Sequence, residues 1–338
     1  MRAVGYKLPR PIQDDAALVD IDLPRPVASG RDLLVEVKAI SVNPVDTKVR
    51  AAALPEEGDW KVLGWDAAGI VAEAGPQASL FKAGDEVFYA GAITRPGTNA
   101  EFHLVDERIA GRKPKTLGWA EAAALPLTSI TAWEALFDRL DVKGRAVAGA
   151  AQSVLIVGGA GGVGSIAIQL ARRLTGLTVI ATASRPETKA WTTALGAHHV
   201  VDHSKPLALE VAALGIGAPA FVFSTTNTDR HLAEIAALIA PQGRFALIDD
   251  PATLDINPFK RKSVSVHWEF MFTRSMFGTA DIAQQGHLLN EVSRLVDEGT
   301  LRTTLAENFG AINAANLRRA HALIESGGAR GKIVLEGF

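Results

Sequence analysis

The chain has 338 residues, with 35 Lys and Arg against 37 Asp and Glu and a formal net charge of −2. This length exceeds what one hydrophobic core usually supports and predicts two domains, while the small net charge gives no electrostatic reason to expect nucleic acid or an anionic membrane as a partner. The absence of cysteine excludes disulfides, thiolate nucleophiles and zinc sites built on sulfur, and it fits a reducing cytoplasm, where we expect this protein.

The N-terminal part of the sequence, up to about residue 125, has the pattern of an irregular β-rich domain. Short runs rich in β-branched residues at 33–37, 69–74 and 84–88 are separated by Gly, Pro, Asp and Asn. From about Ser153 onward, apolar strands alternate with amphipathic helices, which predicts a parallel α/β sheet. The predicted strands are 153–157, 178–183, 199–201, 220–223, 244–248 and 264–267.

The rest of the pattern is helical, with one closing strand. Apolar residues at helical spacing predict helices over 229–240, 282–297 and 313–325, and residues 332–335 predict a final strand. Residues 146–171 carry no charge and are mostly apolar, but they contain six glycines. A buried strand, turn and helix explain that composition better than a bilayer-spanning helix, so we expect no membrane segment.

The sharpest motif lies inside this stretch, in VLIVGGAGGVGSIAIQL at residues 154–170. Gly159, Gly161 and Gly164 satisfy G-x-G-x-x-G between a predicted strand and a predicted helix, a context that indicates dinucleotide binding rather than a purely structural turn. The glycines permit a tight turn, admit the pyrophosphate and let helix and strand pack closely, while the helix N-terminus offers free N–H groups. The predicted binding residues of the turn are Gly158, Gly159, Gly161, Gly162, Val163 and Gly164.

The end of the second predicted strand indicates which dinucleotide is bound. NAD-binding folds usually place Asp or Glu there, where it binds the ribose 2′-hydroxyl. This chain has Ser184 and Arg185 with Lys189 nearby, and a hydroxyl and two cations suit a 2′-phosphate, so the sequence favours NADP(H). The alternative is that Arg185 and Lys189 are a solvated loop and helix start, and a Glu187 side chain that pointed inward would weaken the case for NADP(H).

Further motifs accompany the glycine turn along almost the whole chain: SVNPVDTK at 41–48, LGWDAAG at 63–69, AAALPLTSITAW at 122–133 and GKIVL at 331–335. Together they resemble the medium-chain dehydrogenase/reductase superfamily, most closely its quinone oxidoreductase branch, and WEFMFTRSM at 268–276 resembles a subgroup labelled zinc-type alcohol dehydrogenase-like. The resemblance implies an α/β protein with a GroES-like β-rich catalytic domain at 1–125, completed by 276–338, and a Rossmann NADP-binding domain with a doubly wound parallel sheet at 126–275. It also implies a homodimer joined along the Rossmann sheets.

The residues at the zinc-ligand positions differ from those of the zinc members of the superfamily. Those members have Cys where Asn43 stands, Gly-His-Glu where residues 64–66 read Gly-Trp-Asp, and four cysteines around a structural zinc. Amide and indole groups cannot replace thiolate and imidazole as tetrahedral zinc ligands, so we expect no metal. His198 and His199 do not make another site, since adjacent residues on a strand point to opposite faces.

Without zinc, the expected substrates are those that spread the incoming negative charge themselves. Quinones and α,β-unsaturated carbonyls do this, so the sequence predicts hydride transfer from NADPH to a small apolar electrophile of this kind, with the enzyme mainly holding both reactants in place. One alternative is an NADP-dependent alcohol or carbonyl oxidoreductase that uses Tyr89 or Lys48 in place of zinc. The other is a non-catalytic NADPH-binding protein, such as a redox sensor.

By resemblance, Asn43, Asp46 and Trp65 lie near the nicotinamide end of the site, and Tyr89 is a candidate proton donor. Asn43 either donates a hydrogen bond to the substrate carbonyl or fixes a local turn, and Asp46 either acts as an acid or binds backbone groups. Tyr89 either protonates an enolate or is a barrel residue with a bonded hydroxyl. Lys48 is a further candidate proton donor or phosphate contact.

Other contacts follow from position in the implied fold. The expected cofactor contacts of this kind are Thr128, His203, Phe223 and Ser224, with Arg330 as a further charge near the 2′-phosphate. Three aromatic residues are expected to be partly sheet-core residues, with strand alternation turning some of them toward an apolar pocket: Trp268, Phe270 and Phe272.

Overall fold

The computed structural model describes residues 1–56 and 58–338 of the chain. This part of the chain divides into two units, with unit 1 formed by Met1–Ile130 and Phe272–Phe338 and unit 2 by Thr131–Met271. Unit 2 is therefore one continuous stretch of sequence, whereas unit 1 is built from two separate stretches.

Sixteen strands and ten α-helices make up most of the regular structure of the described residues. The strands are β1 (Arg2–Tyr6), β2 (Val19–Asp22), β3 (Asp32–Val42), β4 (Lys61–Val62), β5 (Ala67–Ala74), β6 (Glu86–Tyr89), β7 (Phe102–Asp106), β8 (Ala110–Arg112), β9 (Ala151–Val157), β10 (Thr178–Thr182), β11 (His199–Val201), β12 (Pro219–Ser224), β13 (Arg244–Leu247), β14 (Ser265–Trp268), β15 (Leu305–Asn308) and β16 (Lys332–Glu336). The helices are α1 (Pro44–Ala52), α2 (Trp119–Ala123), α3 (Pro126–Trp133), α4 (Gly162–Leu174), α5 (Pro186–Leu195), α6 (Leu207–Ala212), α7 (Thr228–Leu238), α8 (Thr273–Phe277), α9 (Gln284–Asp297) and α10 (Ala314–Glu325). A π-helical segment, Glu134–Arg139, directly follows α3.

Unit 2 contains a sheet of six parallel strands in the order β11-β10-β9-β12-β13-β14. From β9, the sheet continues to β10 and β11 on one side and to β12, β13 and β14 on the other. The carboxyl ends of β9 and β12 therefore form a topological switch point, where such sheets bind ligands. Leu155, Val222 and Phe245 lie in the buried core of this sheet. The six strands predicted from the sequence are confirmed, with bounds that differ by at most two residues, because buried parallel strands read as short apolar runs.

Unit 1 is β-rich, as its sequence pattern predicts. A seven-stranded sheet follows the order β15-β16-β3-β5-β6-β8, with β7 also pairing with β3, and a three-stranded sheet has the order β2-β1-β4. The strand β3 is eleven residues long and pairs with β5, β7 and β16, so it is the centre of the larger sheet.

The pairing of β16 with β3 determines what surrounds the start of α1. The two strands are antiparallel, with Ile333 opposite Val42, so the beginning of β16 lies next to the end of β3. The predicted final strand is confirmed, as are the three predicted helices in α7, α9 and α10. Among the described residues, no helix combines the length and the apolar character that a membrane-spanning helix requires.

Candidate functional site

The glycine turn of unit 2 connects the end of β9 to the start of α4. β9 ends at Val157 and α4 begins at Gly162, preceded by Gly161 in an extended conformation (φ −71°, ψ 174°). Gly158 has φ +80°, and a Cβ atom there would lie 2.4 Å from Thr225 Oγ1. Any other residue at this position would be strained, so the first glycine of the turn is required by its conformation.

The last glycine of the motif allows α4 to approach the turn closely. A Cβ atom on Gly164 would lie 2.3 Å from Gly158 O, whereas a Cβ atom on Gly161 would meet only Gly158 O, at 3.6 Å. The first N–H groups of α4 have no intrahelical acceptor and are suited to an anion. The structure thus brings the predicted cofactor-binding residues together in one turn: Gly158, Gly159, Gly161, Gly162, Val163 and Gly164.

Thr182, at the end of β10, links the glycine turn to the next strand. Its Oγ1 accepts a hydrogen bond from Gly158 N–H (3.0 Å) and bonds to Nδ1 of His203 (2.9 Å), which follows β11. The His203 ring lies beside His231, with centroids 6.1 Å apart, and burial lowers the pKa of both imidazoles. The sequence does not single out Thr182, since a threonine within a strand carries no motif signal.

The segment after β10 carries the residues expected at a 2′-phosphate. Ser184 is half-buried, while Arg185 is exposed and pairs with the exposed Glu187 (Nε to Oε1, 3.0 Å). Lys189 pairs with Asp202 (Nζ to Oδ2, 2.9 Å). The structure brings Ser184, Arg185 and Lys189 to the same edge of the sheet, and each of the two cations has a carboxylate partner there.

The carboxyl ends of β12 and β13 carry a chain of hydrogen bonds. Ser224 Oγ shares a hydrogen bond with Thr228 Oγ1 (2.7 Å), and Asp249 accepts from the Thr228 N–H (2.8 Å) and from its hydroxyl. Phe223 and Ser224 are fully buried at this edge. Thr228 and Asp249 extend the set predicted from the sequence, and their signal is a polar side chain soon after an apolar strand.

In unit 1, Asn43 lies inside a buried polar cluster at the start of α1. Its Nδ2 donates to Asp66 Oδ2 (3.0 Å) and to Ser41 O (3.3 Å), and its Oδ1 accepts from Lys332 Nζ. Lys332 Nζ also lies 3.1 Å from Asp66 Oδ2, and Asp66 Oδ1 accepts from the Leu127 N–H (2.9 Å). Because the amide group is already bonded on both sides, its geometry favours the structural alternative for Asn43.

Asp46 adds a second carboxyl group to this buried polar cluster. Its Oδ2 accepts from the Asn43 N–H (2.6 Å), so it binds the backbone at the first turn of α1. Burial raises the pKa of Asp46 to about 7, against the stabilising effects of the Asn43 N–H and the Lys332 ammonium. Burial also raises the pKa of Asp66, while Lys332 opposes this. One ammonium group thus faces two buried carboxyl groups, which favours a proton on one of them.

Trp65 is completely buried beside this cluster. Its Nε1 donates to Ala92 O (3.2 Å), and its ring meets Phe272 edge to face, with centroids 6.1 Å apart. The indole group at the second zinc-ligand position therefore packs as a core side chain.

Tyr89 is completely buried, and its hydroxyl is bonded. It lies 3.2 Å from His103 Nδ1, while His103 Nε2 lies 3.0 Å from Pro96 O, so Nε2 donates to the carbonyl and Nδ1 accepts from the phenol. Burial raises the pKa of Tyr89 and lowers that of His103 to about 4. This environment favours the barrel-residue alternative for Tyr89 over proton donation.

The remaining predicted residues lie in several different parts of the structure. Thr128 lies in unit 1 and donates to Leu125 O (3.2 Å), while Lys48 is exposed on α1. The sheet-core interpretation is wrong for Trp268 and Phe270, which are 52% and 46% exposed. Trp268 is the last residue of β14, the edge strand of its sheet, and Phe270 lies beyond the end of that strand. Arg330 is half-buried in unit 1, shortly before β16.

The described residues offer no alternative metal site. No group of three or more His, Asp or Glu side chains in residues 1–56 and 58–338 is arranged to hold a metal ion. His198 Nδ1 accepts from the Val179 N–H (2.9 Å) and so has a structural role.

Comparison with known proteins decides the family. The alcohol dehydrogenase GroES-like domain family matches residues 29–132, and the zinc-binding dehydrogenase family matches residues 195–335. A zinc-type alcohol dehydrogenase-like protein of Staphylococcus aureus is 38% identical over 99% of this chain and 99% of its own length. The chain is a medium-chain dehydrogenase/reductase. Its GroES-like and Rossmann domains, predicted by resemblance, are confirmed as the fold class.

Two further relatives of this medium-chain dehydrogenase/reductase have names that describe different oxidoreductase activities. The crystal structure of a putative zinc-dependent alcohol dehydrogenase from Rhizobium etli is 72% identical, with a TM-score of 0.98 over 100% of this chain and 98% of that one. Mouse quinone oxidoreductase is 29% identical over 98% of this chain and 99% of its own length. The chain is therefore an oxidoreductase that uses a nicotinamide cofactor.

Proposed function

We propose that this medium-chain dehydrogenase/reductase is an NADPH-dependent, zinc-independent reductase of quinones or α,β-unsaturated carbonyls. The observation that carries the proposal is the chemistry at the two zinc-ligand positions. Asn43 and Trp65 have no thiolate or imidazole to offer, and their N–H groups donate to protein acceptors. The positive charge nearest to Asn43 is the ammonium group of Lys332, which is part of the protein itself.

The cofactor side of the proposal rests on unit 2. The bound nicotinamide would supply the hydride, and the glycine turn would hold the pyrophosphate at the N-terminus of α4. Ser184, Arg185 and Lys189 would bind the 2′-phosphate, which would take the place of the carboxylate partners of the two cations. Thr182 keeps His203 at the same edge, as a further contact.

The proposed substrate class follows from the catalytic chemistry that the buried residues of unit 1 cannot supply. None of the four catalytic candidates has an exposed polar group, since Asn43, Asp46, Trp65 and Tyr89 are all buried. They would shape the site and hold α1 in place, and the proton that completes the reduction would come from water. A substrate that delocalises the incoming negative charge itself needs neither zinc nor an acidic side chain to polarise its carbonyl group. This is why quinones and enones are favoured.

A second candidate is an NADP-dependent alcohol or carbonyl oxidoreductase. It is favoured by the description of the 72% identical Rhizobium etli protein as a putative zinc-dependent alcohol dehydrogenase. It is disfavoured by the donor set, because the carbonyl of a simple aldehyde would meet neither zinc nor a free acidic side chain.

We also propose that two copies of the chain associate along their parallel sheets. β14 is an edge strand of the unit 2 sheet and exposes Trp268, with the exposed Phe270 following it. Unprotected edge strands that carry large apolar side chains are usually covered by a partner. Light scattering on the purified protein should therefore give the mass of a dimer, and a monomer would contradict this part of the proposal.

The deciding experiment measures NADPH oxidation by chelator-treated protein with a small quinone, a conjugated enone and a simple aldehyde, with NADH in parallel. We expect turnover of the quinone or the enone, preference for NADPH and no response to added zinc. Turnover of the aldehyde alone, restored by zinc, would favour the alcohol dehydrogenase. Binding of NADPH without oxidation by any substrate would indicate a non-catalytic NADPH-binding protein.

A further inference from the structure

The imidazole group of His203 is held at the carboxyl edge of the unit 2 sheet by the side chain of Thr182. Thr182 is the last residue of β10, and its Oγ1 lies 2.9 Å from Nδ1 of His203. The same oxygen accepts a hydrogen bond from the Gly158 N–H at 3.0 Å. One threonine hydroxyl group therefore connects the glycine turn with the histidine ring.

These two hydrogen bonds indicate which nitrogen of His203 carries the proton. Thr182 is completely buried, and within residues 1–56 and 58–338 its hydroxyl oxygen bonds to Gly158 N and His203 Nδ1 alone. Because the Gly158 N–H can only donate, the hydrogen of the hydroxyl group has Nδ1 as its acceptor. A proton on Nδ1 would leave that hydroxyl hydrogen buried without an acceptor, which is unfavourable. The arrangement thus favours a neutral ring with its proton on Nε2.

The surroundings of His203 leave its ring neutral at pH 7. Burial lowers the pKa of His203, while the carboxylate of Asp202 opposes this change and the cations Arg230 and Lys189 add to it. The ring of His231 lies beside it, with centroids 6.1 Å apart, and burial lowers the pKa of His231 as well. His203 therefore offers a hydrogen bond from a neutral N–H group, without a positive charge.

The carboxyl group next to His203 in the chain is already occupied. Asp202 Oδ2 accepts from Lys189 Nζ (2.9 Å), and Oδ1 accepts from the N–H (3.0 Å) and the hydroxyl group (2.6 Å) of Ser204. The contact with Lys189 also brings the segment that carries His203 against the first turn of α5. An unmodified ribose is usually bound by a carboxylate acceptor, whereas the groups at this edge are donors, which suit a phosphate.

We propose that Thr182 fixes the proton of His203 on Nε2 and that this N–H group donates to the 2′-phosphate of NADPH. The inference rests on the proposed function, because it takes the adenosine ribose to lie at the end of β10. His203 is a specificity-determining residue, and Thr182 is a positioning residue that acts through the histidine ring. The negative charge of the phosphate strengthens this hydrogen bond, so the contact favours NADPH over NADH.

Nitrogen NMR on the full chain with labelled histidine tests the position of the proton. At about pH 8, where the ring is neutral, His203 should give the signals of an Nε2–H tautomer. His198 is an internal reference, since its Nδ1 accepts from the Val179 N–H (2.9 Å) and its proton must be on Nε2. The variants His203→Gln and His198→Gln assign the signals. A proton on Nδ1 of His203, or a mixture of the two tautomers, would overturn the inference.

Two variants of Thr182 test its positioning role. Thr182→Ser keeps the hydroxyl group and should leave the His203 signals unchanged, whereas Thr182→Val keeps the shape and should shift the Nδ1 signal, because that nitrogen loses its donor. A merely structural role of Thr182 would not move this signal, so an unshifted signal in Thr182→Val would overturn the positioning role. If the valine variant failed to fold, the wild-type spectrum would still decide, since a proton on Nδ1 excludes donation by Thr182.

Titration with NADPH and NADH tests the contact with the 2′-phosphate. His203→Phe keeps a ring without an N–H group and should weaken NADPH binding roughly tenfold, with NADH binding unchanged. His203→Gln keeps a side-chain donor and should bind NADPH within about threefold of the wild type. His287→Phe, at an exposed position in unit 1, is the matched control and should change neither affinity.

Equal weakening of both cofactors by His203→Phe, or an unchanged affinity for NADPH, would overturn the phosphate contact. A second measurement needs no variant: in the wild type, NADPH should shift the Nε2 signal of His203, whereas NADH should leave it in place. The same shift with both cofactors would also overturn the contact, even if His203→Phe failed to fold.

Failure of this inference can be distinguished from failure of the proposed function. A proton on Nδ1 of His203 together with a clear preference for NADPH would overturn the inference alone. A proton on Nε2 in a protein that binds NADPH and NADH equally would overturn the proposed cofactor preference, and with it the phosphate contact, while the fixed proton would stand.

Discussion

Lys332 Nζ lies 3.1 Å from Asp66 Oδ2, and the side chains of these two residues are 3% and 0% exposed. The pair joins the first residue of β16 to the segment that precedes β5. Neither charge has access to water, so each depends on the other and on the hydrogen bonds of Asn43 and Leu127. The charge that stabilises this region therefore comes from a distant part of the chain.

Lys332→Met should strongly destabilise the protein, because it leaves Asp66 buried without its cation. Breaking one side of a buried ion pair costs about 3–5 kcal/mol, which chemical denaturation will measure as a loss in the free energy of unfolding. The control is Arg294→Ala, since Arg294 pairs with Glu291 and Glu298 on the surface of α9 and its removal should change little. Equal effects of the two variants would contradict the importance of burial at Lys332.

Asp46→Asn should remove a pH dependence from the stability. The folded pKa of Asp46 is raised from 3.8 to about 7, so its contribution is fully present below about pH 4 and is lost as the pH rises to about 7. The free energy of unfolding of the wild type minus that of Asp46→Asn should therefore fall by roughly a few kcal/mol between these values and then stay level. A difference that did not vary with pH would show that Asp46 is ionised throughout.

His321→Leu should stabilise the protein. His321 is completely buried and neither ring nitrogen has a hydrogen-bond partner among the described residues, which costs about 1–3 kcal/mol. Burial lowers the pKa of His321 from 6.5 to about 3, so its neutral form supports folding above about pH 6.5 and that support is lost as the pH falls toward 3. The advantage of the variant should thus grow in acid. The same substitution at the exposed His287 should have no such effect.

Arg185→Ala should weaken NADPH binding roughly tenfold and leave NADH binding unchanged, if the 2′-phosphate lies at the end of β10. The partial exposure of Arg185 keeps the expected effect at the lower end of the range for charged hydrogen bonds. Fluorescence titration with both cofactors measures it. Arg173→Ala, in the last turn of α4 and exposed, is the matched control. Equal weakening of both cofactors would argue against a 2′-phosphate contact.

Gly164→Ala should abolish cofactor binding, because its Cβ atom would lie 2.3 Å from Gly158 O and would force α4 away from the turn. Gly176→Ala adds the same methyl group where no atom lies within 4 Å, and it should bind cofactor normally. Circular dichroism would establish that both variants are folded. A Gly164→Ala protein with wild-type affinity would show that the turn does not hold the cofactor.

The strands and helices of unit 2 are predictable from the sequence because they depend on local patterns. Apolar runs give the parallel strands, and strand, glycines and helix in succession give the turn between Val157 and Gly162. The exposure of Trp268 is not predictable in the same way, because the sequence of a strand does not say whether it has a neighbour on both sides.

The buried polar groups are the part that the sequence conceals. Asn43, Asp66 and Lys332 are far apart in the chain, and the pairing of both β5 and β16 with β3 brings them together. A charged residue inside an apolar run, as Lys332 is in GKIVL, marks a buried partner to be found, but its spacing does not name that partner.

The two-part construction of unit 1 also affects how the protein is made. During synthesis, Thr131–Met271 is complete long before Lys332 leaves the ribosome, so the nucleotide-binding sheet can form first. Until β16 arrives, β3 has an open edge and Asp66 has no ammonium group beside it. The nascent chain must therefore carry an unfinished β-sheet through most of its translation. This is the period in which chaperones would have most to protect.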